Sequence, residues 1–204
     1  MKNQYYQDIF TEQSWQILIQ LKQKTEFTLI GGWAVYLYSK ALKSKDIDLI
    51  ADYLQLDFLK KEYEVQKNDR LKKYEVKMSG IDIDVYLPFY SNLGIPVEEL
   101  IKYTAKIDTF TVLRKEMLLL TKLYAYNSRR TTVKGQKDAV DIFALLFLTD
   151  FDIGFYKEIV KEFKLNELNK HLKTLFAVTR QVPELDLNPH FFKKKRDRVL
   201  EKLS

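Results

Sequence analysis

Hydrophobic and polar positions divide the chain into a first half of alternating elements and a helical second half. Apolar residues recur at helical spacing over residues 5–24, which predicts an amphipathic helix. A short apolar strand at residues 27–30 leads into a helix at residues 33–40, and a strand at residues 46–51 precedes a helix at residues 56–65. This alternation predicts an α/β fold.

The rest of the pattern predicts a small mixed sheet that is followed by helices. Residues 74–78 alternate as an edge strand would, and residues 81–87 form the next strand after a tight turn at Ser79-Gly80. We expect a mixed β-sheet core flanked by helices over residues 1–112 and a C-terminal helical bundle over residues 113–204. The remaining predicted elements are a short helix at 95–103, an extended stretch at 107–113, helices at 114–129, 136–148, 153–163 and 165–178, and a loop at 128–134 that ends at Gly135.

Two of the predicted strands carry paired acids. Asp46 and Asp48 lie two residues apart on one strand, and Asp82 and Asp84 do so on another, so each pair shares a face. Like charges at this spacing destabilise a strand unless a cation lies between them, which indicates a divalent metal ion. Asp84 is favoured over Asp82 as the third ligand because the apolar run at residues 85–87 follows it directly.

Composition narrows the kind of metal and the compartment. The 204 residues include no cysteine and only two histidines, which excludes a disulfide framework and a thiolate site and leaves little for zinc. We therefore expect a hard cation bound by oxygen ligands. The N-terminus shows no basic-then-apolar signal, and no apolar run approaches the roughly 20 residues that cross a bilayer, so we predict a cytoplasmic protein with no membrane partner.

Charge is distributed unevenly along the chain. The net charge of +6 divides into −2 over residues 1–101 and +8 over residues 102–204. A basic half joined to acidic strands suits a polyanionic ligand, although lysine-rich helices also have solvated faces without any such role. The basic tail over residues 190–204 is typical of an amphipathic end helix, and binding RNA phosphates or sealing a dimer are its alternative roles.

A glycine pair, Gly31-Gly32, lies where the first predicted strand meets a helix. Glycine lets the backbone approach a ligand closely, and the first N–H groups of a helix point toward an anion placed there. Such a pair also occurs in plain strand-to-helix turns, so the pair gains meaning only from the acids that follow it.

In this order the motifs resemble the nucleotidyltransferases of the polymerase-beta type fold. The family has a Gly-Gly or Gly-Ser turn, a helix, an acid-x-acid strand and a third acid on a neighbouring strand. The helical half resembles the nucleotidyltransferases of abortive-infection and toxin–antitoxin systems, in which a lysine and an Arg/Lys-Asp-x-x-Asp segment complete the site. The matching residues here are Gly31, Gly32, Ser44, Asp46, Asp48, Asp84, Lys122, Lys137, Asp138 and Asp141, and Lys43 stands where those relatives usually carry Arg.

The resemblance implies a site for Mg²⁺, or Mn²⁺, and an NTP such as ATP. Asp46, Asp48 and Asp84 would hold two metal ions roughly 3.5–4 Å apart. The backbone at Gly31 and Gly32, with the Ser44 hydroxyl, would position the β and γ phosphates, and Lys122 would offset their charge beside Asp138. On the residues alone, Lys122 equally suits a solvated helix face, and Asp138 and Asp141 equally suit a helix N-terminus.

The activity that the resemblance implies is transfer of a nucleoside monophosphate to a hydroxyl, with release of pyrophosphate. RNA, and tRNA first, is the favoured acceptor, and the relatives imply a toxin with a protein antitoxin as partner. The alternatives are the same chemistry on a protein side chain or on a small molecule such as an aminoglycoside, and a non-catalytic nucleotide- or RNA-binding module on this fold.

Overall fold

The computed structural model describes residues 2–203, with side chains from residue 8 onward. The elements in chain order are α1 (Lys2–Lys24), β1 (Thr28–Ile30), α2 (Gly31–Ser39), β2 (Ile47–Ile50), α3 (Tyr53–Glu62), β3 (Val65–Asn68), β4 (Lys73–Met78), β5 (Ile81–Tyr86), α4 (Val97–Leu100), β6 (Thr104–Ile107), β7 (Phe110–Leu113), α5 (Lys115–Arg129), α6 (Val133–Leu148), α7 (Ile153–Glu162), α8 (Asn166–Val178), a 3₁₀ turn (Pro183–Leu185) and α9 (Pro189–Leu203).

The chain folds into two compact units, the first ending at Arg114 and the second beginning at Lys115. The first unit contains the sheet, and the second is helical throughout its described residues. The predicted α/β class, with a mixed sheet that is followed by a helical region, is confirmed. None of the helices within residues 2–203 combines the length and the apolar character that crossing a membrane requires.

The strands of the described residues form one seven-stranded mixed sheet in the order β3-β4-β5-β2-β1-β7-β6. The central strand β2 pairs in parallel with β5 and antiparallel with β1, and β1 pairs in parallel with β7. The outer pairs β3–β4, β4–β5 and β6–β7 are antiparallel. The two acidic segments of the sequence are therefore on neighbouring strands, as the family resemblance implied.

Strict alternation along β5 explains why this strand has one apolar and one acidic face. Ile81, Ile83 and Val85 are buried, whereas Asp82 is exposed and Asp84 is half-buried. Side chains of a strand alternate between the two faces of its sheet, so the apolar residues enter the core and the acids face away from it. Burial of the apolar face thus fixes the register that brings Asp84 beside β2.

Two segments of the first unit differ from the sequence prediction. Residues 74–78 were expected at the edge of the sheet, but β3 (Val65–Asn68) occupies that edge and β4 lies inside it. The polar pattern of β3 does not alternate, because both faces of an edge strand can meet solvent. The predicted helix at residues 56–65 begins at Tyr53 instead, because Asp52 and Gln55 form a reciprocal capping box there.

Two turns were also assigned wrongly. The single extended stretch predicted at residues 107–113 is a hairpin of β6 and β7, with Asp108 in the left-handed region between them. Gly135 does not end a loop but lies in the first turn of α6, where the Thr132 hydroxyl accepts a hydrogen bond from its N–H at 3.1 Å. A Cβ at position 135 would lie 2.1 Å from the Arg129 carbonyl oxygen, so the close approach of the preceding helix end requires glycine.

The second unit is organised around an aromatic cluster. Phe143 stacks on Phe176 with 4.5 Å between ring centroids, Phe147 contacts both of these rings, and Phe192 contacts Phe143 and Phe147. Phe192, together with Val199 and Leu203, forms the buried face of α9. The tail from residue 190 is therefore an amphipathic end helix.

Candidate active site

The turn from β1 into α2 brings the backbone of Gly31 against Asp48. Gly31 has φ +66°, a left-handed conformation that residues with a Cβ rarely adopt. A Cβ at this position would lie 2.0 Å from Asp48 Oδ2, so a side chain there would displace the carboxylate. Ile30 and Asp48 are register partners in the β1–β2 pair, which explains the approach. One carboxylate is thereby placed at the first turn of a nine-residue helix.

A row of acids crosses the sheet at the level of Asp48. Asp84 on β5 is the register partner of Asp48 on β2, and Glu75 on β4 is the register partner of Asp84. Directly opposite residues of neighbouring strands share a face, and adjacent strands lie about 4.8 Å apart. The row Asp48–Asp84–Glu75 is therefore a continuous acidic stripe, of which the sequence analysis found the first two members and missed Glu75.

Lys73 lies within this stripe and was also missed by the sequence analysis. Its Nζ is 2.6 Å from Asp84 Oδ2 and 2.9 Å from Glu75 Oε1, and 12% of its side chain is exposed. Lys73 and Glu75 occupy alternate positions of β4 and so share a face. Charged residues alternate along residues 73–77, but the predicted edge strand covered residues 74–78 and left Lys73 out.

The electrostatics of the stripe single out Asp84. Burial and the charge of Asp48 raise the pKa of Asp84 from its ordinary value to about 6, although the ion pair with Lys73 acts in the opposite direction. The pKa of Lys73 is raised, because its ion pairs with Asp84 and Glu75 together outweigh the effect of burial. Asp84 and Glu75 thus share the ammonium of Lys73.

The other predicted acids have different surroundings. Asp46 precedes β2 by one residue, and its backbone carbonyl accepts a hydrogen bond at 3.0 Å from the buried Ser44 hydroxyl. Asp82 is exposed and is the register partner of Lys77 on β4, not of any residue of β2. The structure thus pairs Asp84, and not Asp82, with Asp48.

The residues present fit a cation held by two protein carboxylates. Among residues 8–203, no group of three or more His, Cys, Asp or Glu side chains is arranged as a metal site, and joint metal binding by Asp46, Asp48 and Asp84 stays a prediction. The chain bends before β2 begins, and Lys73 contacts Asp84. Mg²⁺ commonly takes one or two carboxylates and completes its shell with water and phosphate oxygens, which suits Asp48 and Asp84.

The predicted residues of the helical half form a buried ion cluster within the second unit. Lys122 Nζ on α5 lies 2.6 Å from Asp141 Oδ2 and 3.4 Å from Asp138 Oδ1 on α6. Arg129 donates two hydrogen bonds to Asp138, at 2.8 Å from Nε and 3.1 Å from Nη2. Asp141 Oδ2 accepts no hydrogen bond, so its contact with Lys122 is an ion pair of unfavourable angle. That Lys122 and Asp138 act on phosphate stays a prediction.

Comparison with known proteins finds similarity at the level of structure alone. No family model matches the chain, and no curated protein matches its sequence. Several solved structures are similar to this chain. They include a candidate nucleotidyltransferase of Thermotoga maritima (17% identity, 59% of this chain and 89% of that chain, TM-score 0.46), JHP933 of Helicobacter pylori (15%, 97% and 93%, 0.48) and an antigenic nucleotidyltransferase-like protein of Paracoccidioides brasiliensis (17%, 78% and 91%, 0.41). With identities of 15–17% and TM-scores below 0.5, these similarities carry no conclusion about the chemistry of this chain.

Proposed function

We propose that this protein is a metal-dependent nucleotidyltransferase that transfers a nucleoside monophosphate from an NTP to a hydroxyl acceptor. The observation that carries the proposal is the pairing of Asp48 with Asp84 beside Gly31, at the first turn of α2. Two adjacent carboxylates attract a cation, and the first N–H groups of a helix attract phosphate oxygens. Because both features lie side by side, the site suits a triphosphate that carries a divalent cation.

Asp48 and Asp84 would hold Mg²⁺, or Mn²⁺ in its place, and the resemblance adds Asp46 as a further ligand. When bound, the ion neutralises triphosphate charge and lowers the pKa of the acceptor hydroxyl. The backbone N–H groups of Gly31 and Gly32 would bind phosphate oxygens. The Ser44 hydroxyl, which donates a 3.0 Å hydrogen bond to the Asp46 backbone carbonyl, would turn to donate to a β or γ phosphate oxygen. Before substrate binds, the Lys73 ammonium offsets the negative charge of Asp84.

The reaction forms one bond and breaks one. The acceptor hydroxyl oxygen bonds to the α phosphorus, and the bond from that phosphorus to the oxygen bridging to the β phosphate breaks. Pyrophosphate leaves with the electron pair of that bond, and the hydroxyl proton passes to solvent. Such an in-line displacement depends on positioning and charge stabilisation and needs no protein nucleophile, in agreement with a chain that has no cysteine.

RNA is the acceptor that the charge of the chain favours, with tRNA as the first candidate. The second half carries +8, and exposed basic side chains line the outer face of α9, including Lys193, Lys194 and Arg198. Cationic surfaces of this kind bind the phosphate backbone. The proposal includes, from the resemblance of Lys122 and Lys137-Asp138-x-x-Asp141 alone, a role as the toxin of a toxin–antitoxin pair.

A labelling experiment tests the function, with two acids of the same strand as a matched pair. The wild type is incubated with each α-labelled NTP, Mg²⁺ and total RNA, and transfer is compared with that of Asp84→Asn and Asp82→Asn. We expect Asp84→Asn to lower the transfer rate by at least about 100-fold, since it removes charge from the metal site. Asp82→Asn should stay within about threefold, because Asp82 is exposed and faces Lys77.

Equal activity of the two variants would contradict the proposal, as would the absence of transfer with every nucleotide. Label on protein or on an added aminoglycoside, rather than on RNA, would keep the chemistry and change the acceptor. The Lys73–Asp84 ion pair favours a second candidate, a nucleotide- or RNA-binding module without turnover, because a built-in cation can replace a metal structurally. This module would bind ATP without Mg²⁺ in calorimetry and transfer no label.

A further inference from the structure

Lys73 occupies a position that neither the fold nor the sheet requires of a lysine. It is the first residue of β4, two residues before Glu75, and its side chain contacts two members of the acidic stripe, Asp84 and Glu75. Only 12% of the Lys73 side chain is exposed, whereas most surface lysines keep their ammonium in water. The Lys73 side chain is therefore largely removed from water, and its ammonium contacts two carboxylates instead.

The two contacts of Lys73 are unequal in their surroundings. The Asp84 side chain is 21% exposed, and the carboxylates of Asp48 and Glu75 both act on its charge. The Glu75 side chain is 36% exposed and also accepts a hydrogen bond of 2.9 Å from Asn68 Nδ2. Glu75 therefore keeps a partner when Lys73 moves, and Lys73 keeps a partner in Glu75 when it leaves Asp84.

A metal ion bound to Asp84 Oδ2 would compete with the ammonium of Lys73 for that oxygen. Lys73 Nζ lies 2.6 Å from Asp84 Oδ2. A magnesium ion binds its oxygen ligands at about 2.0–2.1 Å and demands octahedral geometry, which leaves little space for an ammonium on the same oxygen. Lysine is a point charge on a flexible four-carbon stem, so it can rotate away from Asp84 without a change in the backbone.

We propose that Lys73 is a displaceable counter-cation of the active site, which holds Asp84 in the metal-free protein and moves onto Glu75 when a divalent metal binds Asp48 and Asp84. This inference rests on the proposed function and adds to it a device that couples metal binding to the release of a lysine. Its consequence is that Lys73 weakens the binding of free metal. A metal that arrives with a triphosphate brings further phosphate contacts, which offset the loss of the ion pair.

Direct metal binding tests the inference without any need for transfer activity. The affinity for Mg²⁺ is measured by calorimetry, and that for Mn²⁺ by electron paramagnetic resonance, for the wild type, Lys73→Met and Lys77→Met. Lys77 lies on the same strand, is exposed, and is the register partner of Asp82, so its substitution removes the same charge away from the stripe. Lys73→Gln, which keeps a polar side chain, serves as the second variant if Lys73→Met folds poorly.

We expect Lys73→Met to bind both metals about tenfold more tightly than the wild type, and Lys77→Met to stay within about twofold of it. Lys73→Gln should also bind more tightly than the wild type. Equal affinity of wild type, Lys73→Met and Lys73→Gln would overturn the inference and leave the proposed function intact, as would an equal gain in Lys77→Met. Absence of metal binding in all four proteins would overturn both the inference and the metal-dependent function.

Discussion

At the scale of single residues, Gly31 decides where the carboxylate of Asp48 can lie. Two of the glycines in this unit, Gly31 with φ +66° and Gly80 with φ +80°, share the left-handed conformation. They differ in their surroundings, because a Cβ at Gly31 would lie 2.0 Å from Asp48 Oδ2 whereas a Cβ at Gly80 would meet nothing within 4 Å. Substitution by alanine at the two positions therefore separates the free-energy cost of a left-handed backbone from the cost of a clash with Asp48.

We predict that Gly80→Ala lowers the free energy of unfolding by about 1 kcal/mol, the cost of placing a Cβ in the left-handed region. Gly31→Ala should lower it by about 2–3 kcal/mol, because the Asp48 side chain must also rotate away. Chemical denaturation gives both values, and the transfer assay gives a second comparison in which only Gly31→Ala loses activity. If the two variants were alike in stability and in transfer, the close approach to Asp48 would have no consequence.

Asp48 and Asp84 could be found from the sequence because the two observations that indicate them each lie within a single strand. Alternation gives each acid its face, and the apolar residues between them show that the opposite face is buried. Glu75 and Lys73 could not be found in this way, because their significance depends on which strand lies beside β5. Only the pairing of Glu75 with Asp84 in the sheet shows that β4 contributes to the same stripe.

At the scale of elements, the strongly periodic helices were predictable and the sheet order was not. The amphipathic patterns of α5, α7 and α8 gave bounds within about two residues of those observed, because burial of one helix face requires that periodicity. The edge strand β3 shows no alternation, and the β6–β7 hairpin depends on a left-handed Asp108 that a sequence pattern does not reveal. Turn geometry and edge position were therefore the sources of error.

The ion cluster between α5 and α6 places charged side chains in the interior of the second unit, where an unpaired charge would be destabilising. Lys122 and Asp141 are almost fully buried and lie 2.6 Å apart, and Asp138 is held by Arg129. A buried charge is tolerated only when it is paired, so removal of one partner leaves the other uncompensated. Each buried charge on α5 thus needs its partner on α6, and the cluster links the two helices.

We predict that Asp141→Asn lowers the free energy of unfolding by about 3 kcal/mol, because the buried Lys122 loses the shorter of its two ion pairs with α6. The matched control is Glu167→Gln on α8, which removes a carboxylate from an exposed ion pair with Lys170 and should change stability by less than about 0.5 kcal/mol. Urea unfolding followed by circular dichroism measures both. A change in Asp141→Asn no larger than that in the control would show that the cluster contributes nothing to stability.

At the scale of the whole molecule, charge asymmetry is the property that bears on the acceptor. The net charge of +6 results from −2 over residues 1–101 and +8 over residues 102–204. The apolar face of α9 is buried through Phe192, Val199 and Leu203, which leaves its basic residues toward solvent. Burial of the apolar face of α9 therefore places its basic residues in a row on the exposed face. The tail sequence alone does not determine which face of the helix is buried.

We predict that RNA binds through this row, so that the affinity for tRNA falls steeply with salt. Neutralising three exposed cations of α9 at once, by Lys193→Gln, Lys194→Gln and Arg198→Gln, should reduce the slope of log affinity against log salt by about 2–3, since each lost phosphate contact removes about 0.7–0.9. The control neutralises three exposed lysines of the first unit, Lys61, Lys72 and Lys77. Filter binding at several salt concentrations measures both triple variants. Both triple variants lose the same net charge. An equal change in slope would therefore mean that overall charge, and not the α9 surface, governs RNA binding. A smaller slope in the α9 variant alone would show that the phosphate contacts lie on α9.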